Sequence, residues 1–481
     1  MQKDNVVQQN ETYHTAGLWQ IGFFALNNGA TNLYLAMMGY VSYYINGIVG
    51  IGVVTVSVIL TLLNIFDGIT DPVAGLIMDK TDGKFGKFRP FMVIGNLLMI
   101  ISSICLFVFT HKIKMIFRLP FFIIVYAVFI IGYTFQTVVT KSGQTVLTNH
   151  PRQRPVSTTF DSLFIMAAFG SVALFVSNYL VPKYGSFKNP ELFVEFVIWV
   201  SAIGAVCTCL AVIGIWKKDR EEYFGGADAH KKVKVKEYIQ ILKGNKPIRV
   251  LILSASLNKF ASSVYSNTTV GVMLFGILMQ DYSIAGLIGI VTAIPTLVVV
   301  AAGIKVAQNF GQKKAFLIFT RCGIFFQVLM LIQFIFGDLT KIRFSFHSIN
   351  FMTVAFFVLF VLLNGSKSIT NNMVVPMIAD CSDYEVYRSG NYVPGMMGAV
   401  FSFVDKIFAA LGTTFVGFAV TLIGYGKVFP QVEDSPNVRI KAAALFLYCI
   451  VPIIGWIFSL VCMHFYDLDK YKMKEIHNDK T

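Results

Sequence analysis

Apolar residues fall into twelve long stretches separated by polar breaks, and each is about as long as the roughly 20 residues that an α-helix needs to cross a bilayer. The first six run Gly17–Tyr44, Ile48–Met78, Phe91–Thr110, Leu119–Thr140, Val156–Val181 and Leu192–Trp216. The second six run Ile248–Met279, Ser283–Ala307, Ala315–Phe336, Ile349–Ala379, Pro394–Gly424 and Ala442–Phe465. This pattern predicts an all-α membrane protein with 12 transmembrane helices in two six-helix halves. The halves are residues 1–216 and 248–465, joined by a polar central loop (217–247) and followed by a tail (466–481). A weak internal repeat supports the division, as is common in transporters. The run from Gly75 through Asp79, Lys80, Asp82, Lys84 and Lys87 to Arg89 follows the second stretch, and Gly303 to Lys314 follows the eighth. Asn27, Asn28 and Asn32 in the first stretch are echoed by Asn258, Lys259, Tyr265 and Asn267 in the seventh.

Composition agrees with the pattern. Of 481 residues, 55% are hydrophobic and only 14% charged, too apolar for a soluble globular chain. The net charge of +14 would suit a nucleic-acid partner if it were clustered on one surface. Instead Lys and Arg crowd into alternate loops, about 24 on the side of the termini against about 10 on the other. That asymmetry predicts a multi-pass protein of the cell membrane with both termini cytoplasmic, and no nucleic-acid partner. Met1–Thr15 is polar, so no cleavable signal peptide is expected. Six of the seven cysteines fall within the stretches and Cys381 in a cytoplasmic loop, which offers no disulfide.

Two acids stand out in this apolar background. Asp67 and Asp71 lie four residues apart inside the second stretch, so a helix points both carboxylates the same way. One charge at the centre of a spanning helix costs roughly 3 kcal/mol, and a pair needs a cation, a proton or a basic partner. A salt bridge to a neighbouring lysine is the structural alternative to an ion site. Asn64 and Thr70 are further oxygen donors on the same segment. No nucleophile–base or metal-ligand set lies together, which argues against an enzyme, and no cofactor is expected beyond a coupling ion, Na⁺, Li⁺ or H⁺.

The loop Gly75–Arg89 resembles the signature of the major facilitator superfamily. The fuller run Phe66-Asp67-Gly-Ile-Thr70-Asp71-Pro72 through Asp79-Lys80-Thr81 is similar to the glycoside–pentoside–hexuronide:cation symporters, the melibiose-permease-like branch. Pro376–Glu385 and Thr148–Arg154 resemble that branch's loops between spans ten and eleven and between spans four and five. The resemblance covers nearly the whole chain and implies the major facilitator fold and symport of a glycoside, hexuronide or pentoside with a cation. It carries the cation ligands onto Asp67, Asp71 and Thr134, and a span-eleven lysine onto Lys406, which would touch substrate and link it to the two acids.

Elsewhere the chain departs from that branch. Asn27-Asn28 stands where an acid is expected, Thr137 or Gln136 where a second acid is, and Lys141 where an aromatic would stack. The branch's span-five arginine falls near Asp161-Ser162. Lys141, Lys259, Lys367 and Lys406 all fall within stretches, and they suggest an anionic or strongly polar solute such as a uronide. Asn28, Asn32 and Thr137 complete the expected substrate set. Asp79, Lys80, Lys84, Arg89, Arg152, Arg154, Asp380, Asp383 and Arg388 are expected to form a cytoplasmic gate of charge pairs that breaks and re-forms between states. Two rival readings use the same fold: a proton-coupled exporter of small amphipathic compounds, and a sugar sensor that does not transport. The expected partners are therefore a sugar, a coupling cation and the lipid bilayer.

Overall fold

A computed structural model describes residues 15–79, 81, 85–148, 154–220, 243–343, 350–390 and 394–478. Each of the twelve apolar stretches is helical. They are α1 Leu18–Met38, α2 Val53–Asp79, α3 Arg89–Lys112, α4 Met115–Leu147, α5 Arg154–Phe175 and α6 Pro190–Ile215 in the first half. The second half contains α7 Lys246–Tyr265, α8 Ala293–Phe310, α9 Gln312–Phe336, α10 Phe351–Ser389, α11 Pro394–Leu422 and α12 Val438–His464. Among the described residues ten helices are long and apolar enough to cross a membrane, and eleven when α7 is joined to Thr268–Leu278 across a 46° bend. α1 is the twelfth segment. It is long enough, but Gln20, Asn27, Asn28, Thr31 and Asn32 make it too polar to stand out by hydropathy.

α1 packs against α4, α5 and α6. Asn27 is fully buried and donates to Thr140 Oγ1 at 2.9 Å and to the Gln136 carbonyl at 3.2 Å. Without a hydrophobic drive between helices in lipid, close packing relies on small residues and such interhelical bonds. α3 and α4 approach where a Cβ on Gly132 would lie 2.7 Å from the Gly95 carbonyl. Similar small-residue contacts join α7 to α12, where a Cβ on Gly455 would lie 2.8 Å from Ala261 Cβ.

Two contacts join the halves along the bundle: α2 against α11, and α5 against the short helix Ser283–Val291 that precedes α8. At the end of the bundle opposite the termini the halves also meet through loops. Asn46 donates to the Lys427 carbonyl at 2.7 Å and accepts from the Phe429 amide at 2.7 Å, and Tyr43 Oη donates to the Pro430 carbonyl at 3.0 Å. Lys188 pairs with Glu433 at 3.4 Å. At the end carrying the termini, Arg89 pairs with Asp219, Arg388 with Glu385 and Lys246 with Asp467.

α10 corrects two expectations. It runs 39 residues to Ser389, so Pro376–Glu385 is helix rather than loop, and Cys381 is buried inside it. The extension is held by contacts on its inner face: Asn245 Nδ2 donates to the Cys381 carbonyl at 3.2 Å, and Tyr466 packs on Cys381. All seven cysteines are free. Tyr34, Tyr43 and Tyr44 are fully buried in the core rather than lining an open surface.

Candidate cation and substrate site

α2 and α11 lie side by side across the boundary between the halves, where Thr61 Oγ1 donates to the Ala410 carbonyl at 3.0 Å. Further along, Gly68 allows a close approach: a Cβ there would lie 3.1 Å from the Phe403 ring and 3.8 Å from Lys406 Cδ. The opening lets the Lys406 side chain pass between the two acids. Its Nζ lies 2.8 Å from Asp67 Oδ2 and 2.6 Å from Asp71 Oδ2. Pro72, directly after Asp71, has no N–H and leaves the Gly68 carbonyl without its helical donor.

α4 closes the third side. Thr134 is fully buried, and its hydroxyl lies 3.4 Å from Asp67 Oδ1 and 2.9 Å from Thr70 Oγ1. Asp67, Asp71, Thr70, Thr134 and Lys406 therefore form one cluster drawn from three helices and both halves. It is partly open: the side chains of Asp67, Asp71 and Lys406 keep 16%, 23% and 26% of their exposure, so the acids are paired but not sealed. Asp71 Oδ1 is buried and has no hydrogen-bond partner.

The other predicted residues do not all join this cluster. Asn64 lines a separate cavity of about 390 Å³ toward the loop-closed end, together with Tyr126, Ser263 and Thr413. Lys259 pairs with Asp405 at 3.5 Å. The Lys367 ammonium sits 3.5 Å from the centre of the Tyr265 ring, within the second half. Asn32 donates to the carbonyl and side chain of Asn28 at 2.8 and 2.9 Å, and Thr137 donates to the Thr134 carbonyl at 3.0 Å. Lys141 is exposed on α4. Near Asn28 the structure adds a group outside the expected substrate set: Asp161 is buried on α5, takes a hydrogen bond from Gln144, and keeps Oδ1 unpartnered. Its signal in the sequence was an acid inside an apolar stretch.

Of the expected gate, Lys80, Lys84 and Arg152 lie outside the described residues, as do the side chains of Asp79 and Arg154. Arg89 is held within its own half. Asp219, almost fully buried, accepts from the amides of Lys87 at 2.9 Å and Arg89 at 3.0 Å and from Arg89 Nε at 3.3 Å. Gly86 at φ +85° presses against that carboxylate. Arg388 pairs with Glu385 of its own helix at 2.7 Å, and Glu385 also accepts from Asn245 at 2.9 Å. Asp380 and Asp383 are half-buried on α10. The two fully buried acids here, Asp219 and Glu385, were missed because each sits in a stretch that reads as a polar, solvated connector.

A large open cavity of about 1150 Å³ lies between α5, α8 and α10. Two helical bundles that meet along α2–α11 and between α5 and the helix Ser283–Val291, with paired charges inside apolar helices and a cavity between the halves, define a membrane carrier. The family of MFS/sugar transport proteins matches residues 22–470, and the chain belongs to it, in its glycoside–pentoside–hexuronide:cation symporter branch. It is therefore a multi-pass membrane transporter rather than an enzyme. It is 25% identical to a glucuronide carrier protein homolog of Escherichia coli (strain K12) over 94% of this chain and 93% of that one. It is 20% identical to the uncharacterized symporter YnaJ of Bacillus subtilis (strain 168), over 95% and 93% of the two chains. The crystal structure of the nucleoside transporter NupG shares the fold, with a TM-score of 0.59, 11% identity, and coverage of 94% and 100%.

Proposed function

We propose that the protein carries a glycoside into the cell by symport with a cation, and that Asp67, Asp71, Thr134 and Thr70 bind the cation. The observation that carries this reading is the contact of Lys406 with both carboxylates across the two halves. A tethered ammonium fills the place where a travelling cation would neutralise the acids. With the termini on the cytoplasmic side, the loop-closed end faces outward. Cation binding displaces Lys406 and so breaks its bridge between the two halves. Two carboxylates with two hydroxyls provide the hard oxygen donors that Na⁺ or Li⁺ requires, and the carboxylates alone suffice for a proton. If ion and substrate favour the same closed state, each raises the other's affinity by the same factor.

The glucuronide carrier homolog supports a glycoside-type solute, and the family supports coupling to a cation. The test uses purified protein in proteoliposomes with imposed Na⁺, Li⁺ or H⁺ gradients and a panel of radiolabelled glycosides. Accumulation above the external concentration with one of the gradients, collapsing when that gradient is dissipated, is the expected result. Equilibration without accumulation under every gradient would remove coupled symport.

A further inference from the structure

The cavity between α5, α8 and α10 differs in character from the lysine-rich solute site that the sequence suggests. Its walls are built from stripes four residues apart, the spacing that keeps side chains on one helix face. α8 presents Thr292, Thr296, Val300 and Ile304; α10 presents Asn364, Ser368 and Asn372; α5 presents Thr158, Ser162 and Met166. None of the described residues lining it is charged. All three helices contribute hydroxyl or amide groups, yet most of the wall is apolar, with Met166, Leu297, Val300, Ile304 and Phe360 between the polar stripes. Three of the four lysines that suggested an anionic solute are engaged elsewhere, and the fourth, Lys141, is exposed on α4 and is not among the residues lining this cavity. Lys406 pairs with Asp67 and Asp71, Lys259 pairs with Asp405, and Lys367 lies over Tyr265 beside a different, much smaller cavity.

Burying a carboxylate against the described part of this wall would leave it without a counter-charge among those residues, which is strongly unfavourable. Sugar hydroxyls, by contrast, find donors and acceptors on every side, and an apolar substituent finds a matching surface. At about 1150 Å³ the space exceeds that of an ordinary small-molecule pocket, roughly 300–1,000 Å³, so it holds more than one ring. We infer that the α5–α8–α10 cavity binds an uncharged glycoside bearing an apolar aglycone, with the sugar on the threonine, serine and asparagine stripes and the aglycone along Leu297, Val300 and Ile304. The inference rests on the carrier reading and names the solute class for it.

Binding to the purified full-length protein, with Na⁺ present and then at two pH values without it, tests this with matched sets of glucose, galactose and xylose. Each set contains the free sugar and its 4-nitrophenyl glycoside, and the glucose and galactose sets add the 4-nitrophenyl uronide. For the accepted sugar, the neutral aryl glycoside should bind at least tenfold more tightly than both the free sugar and the uronide. Thr296→Val, which removes a hydroxyl at constant shape, and Asn372→Leu should each weaken that glycoside about fivefold, as loss of one hydrogen bond predicts. Val300→Asn should narrow the gap between aryl glycoside and free sugar. Preference for the uronide or the free sugar, with all three monodisperse variants unchanged, overturns the inference and leaves the carrier reading standing. Failure of every compound to bind or to accumulate under any cation gradient overturns both.

Discussion

Lys406 makes the boundary between the two halves sensitive to a single side chain. It satisfies two carboxylates that would otherwise face one another across one helical turn. Removing it by Lys406→Met leaves both acids without a cation. Because the group is only partly buried, the cost is set at about 2 kcal/mol, below the roughly 3–5 kcal/mol of a fully buried broken pair. In Na⁺-free buffer the variant should melt several degrees below the native protein, and Na⁺ or Li⁺ should restore more of its stability than it adds to the native chain. A melting curve indifferent to the cation would contradict occupancy of that site by ions. Thr134→Val tests the hydroxyl: a proton-driven carrier tolerates it, whereas a Na⁺- or Li⁺-driven one should lose about tenfold in apparent cation affinity, read from the cation dependence of uptake.

Among the helices, glycines set how closely neighbours pack. Gly132→Leu forces a side chain into the Gly95 backbone and should destabilise the first half by about 1–3 kcal/mol. Gly398→Ala, where a Cβ meets open space, should be neutral; comparing the melting of the two variants checks the α3–α4 contact. Helix positions were legible in the sequence wherever apolar length decided them, as in α2 through α6. They were less legible where polar side chains are satisfied only by tertiary partners. α1 hides Asn27 against α4, and α10 continues past Pro376 because Asn245 and Tyr466 cover the extension. The acids Asp67 and Asp71 were legible because a charge in an apolar run is costly. Asp219 and Glu385 were not, since nothing local distinguishes a connector acid that folds inward from one that faces water.

For the whole molecule, the expected gate and the observed closure lie at opposite ends. Arg89 and Arg388 are each tied within their own half, whereas Tyr43, Asn46 and Lys188 reach across to the loop after α11. A rocking carrier has to break such cross-half contacts when this end opens. The exposed Lys188–Glu433 pair adds little energy on its own, but it marks where the halves touch. Lys188→Cys with Glu433→Cys should form a disulfide under oxidation and block uptake, and reduction should restore it. Cross-linking that leaves uptake untouched would mean that this end does not open during transport.

The account depends most on the carboxylate pair of α2 as the seat of the coupling ion. The most direct test is gradient-driven accumulation of the accepted glycoside in proteoliposomes containing native protein, Asp67→Asn or Asp71→Asn, with insertion verified. Both variants should lose accumulation above the external concentration, while the native protein retains it. Accumulation undiminished in either variant would contradict the account.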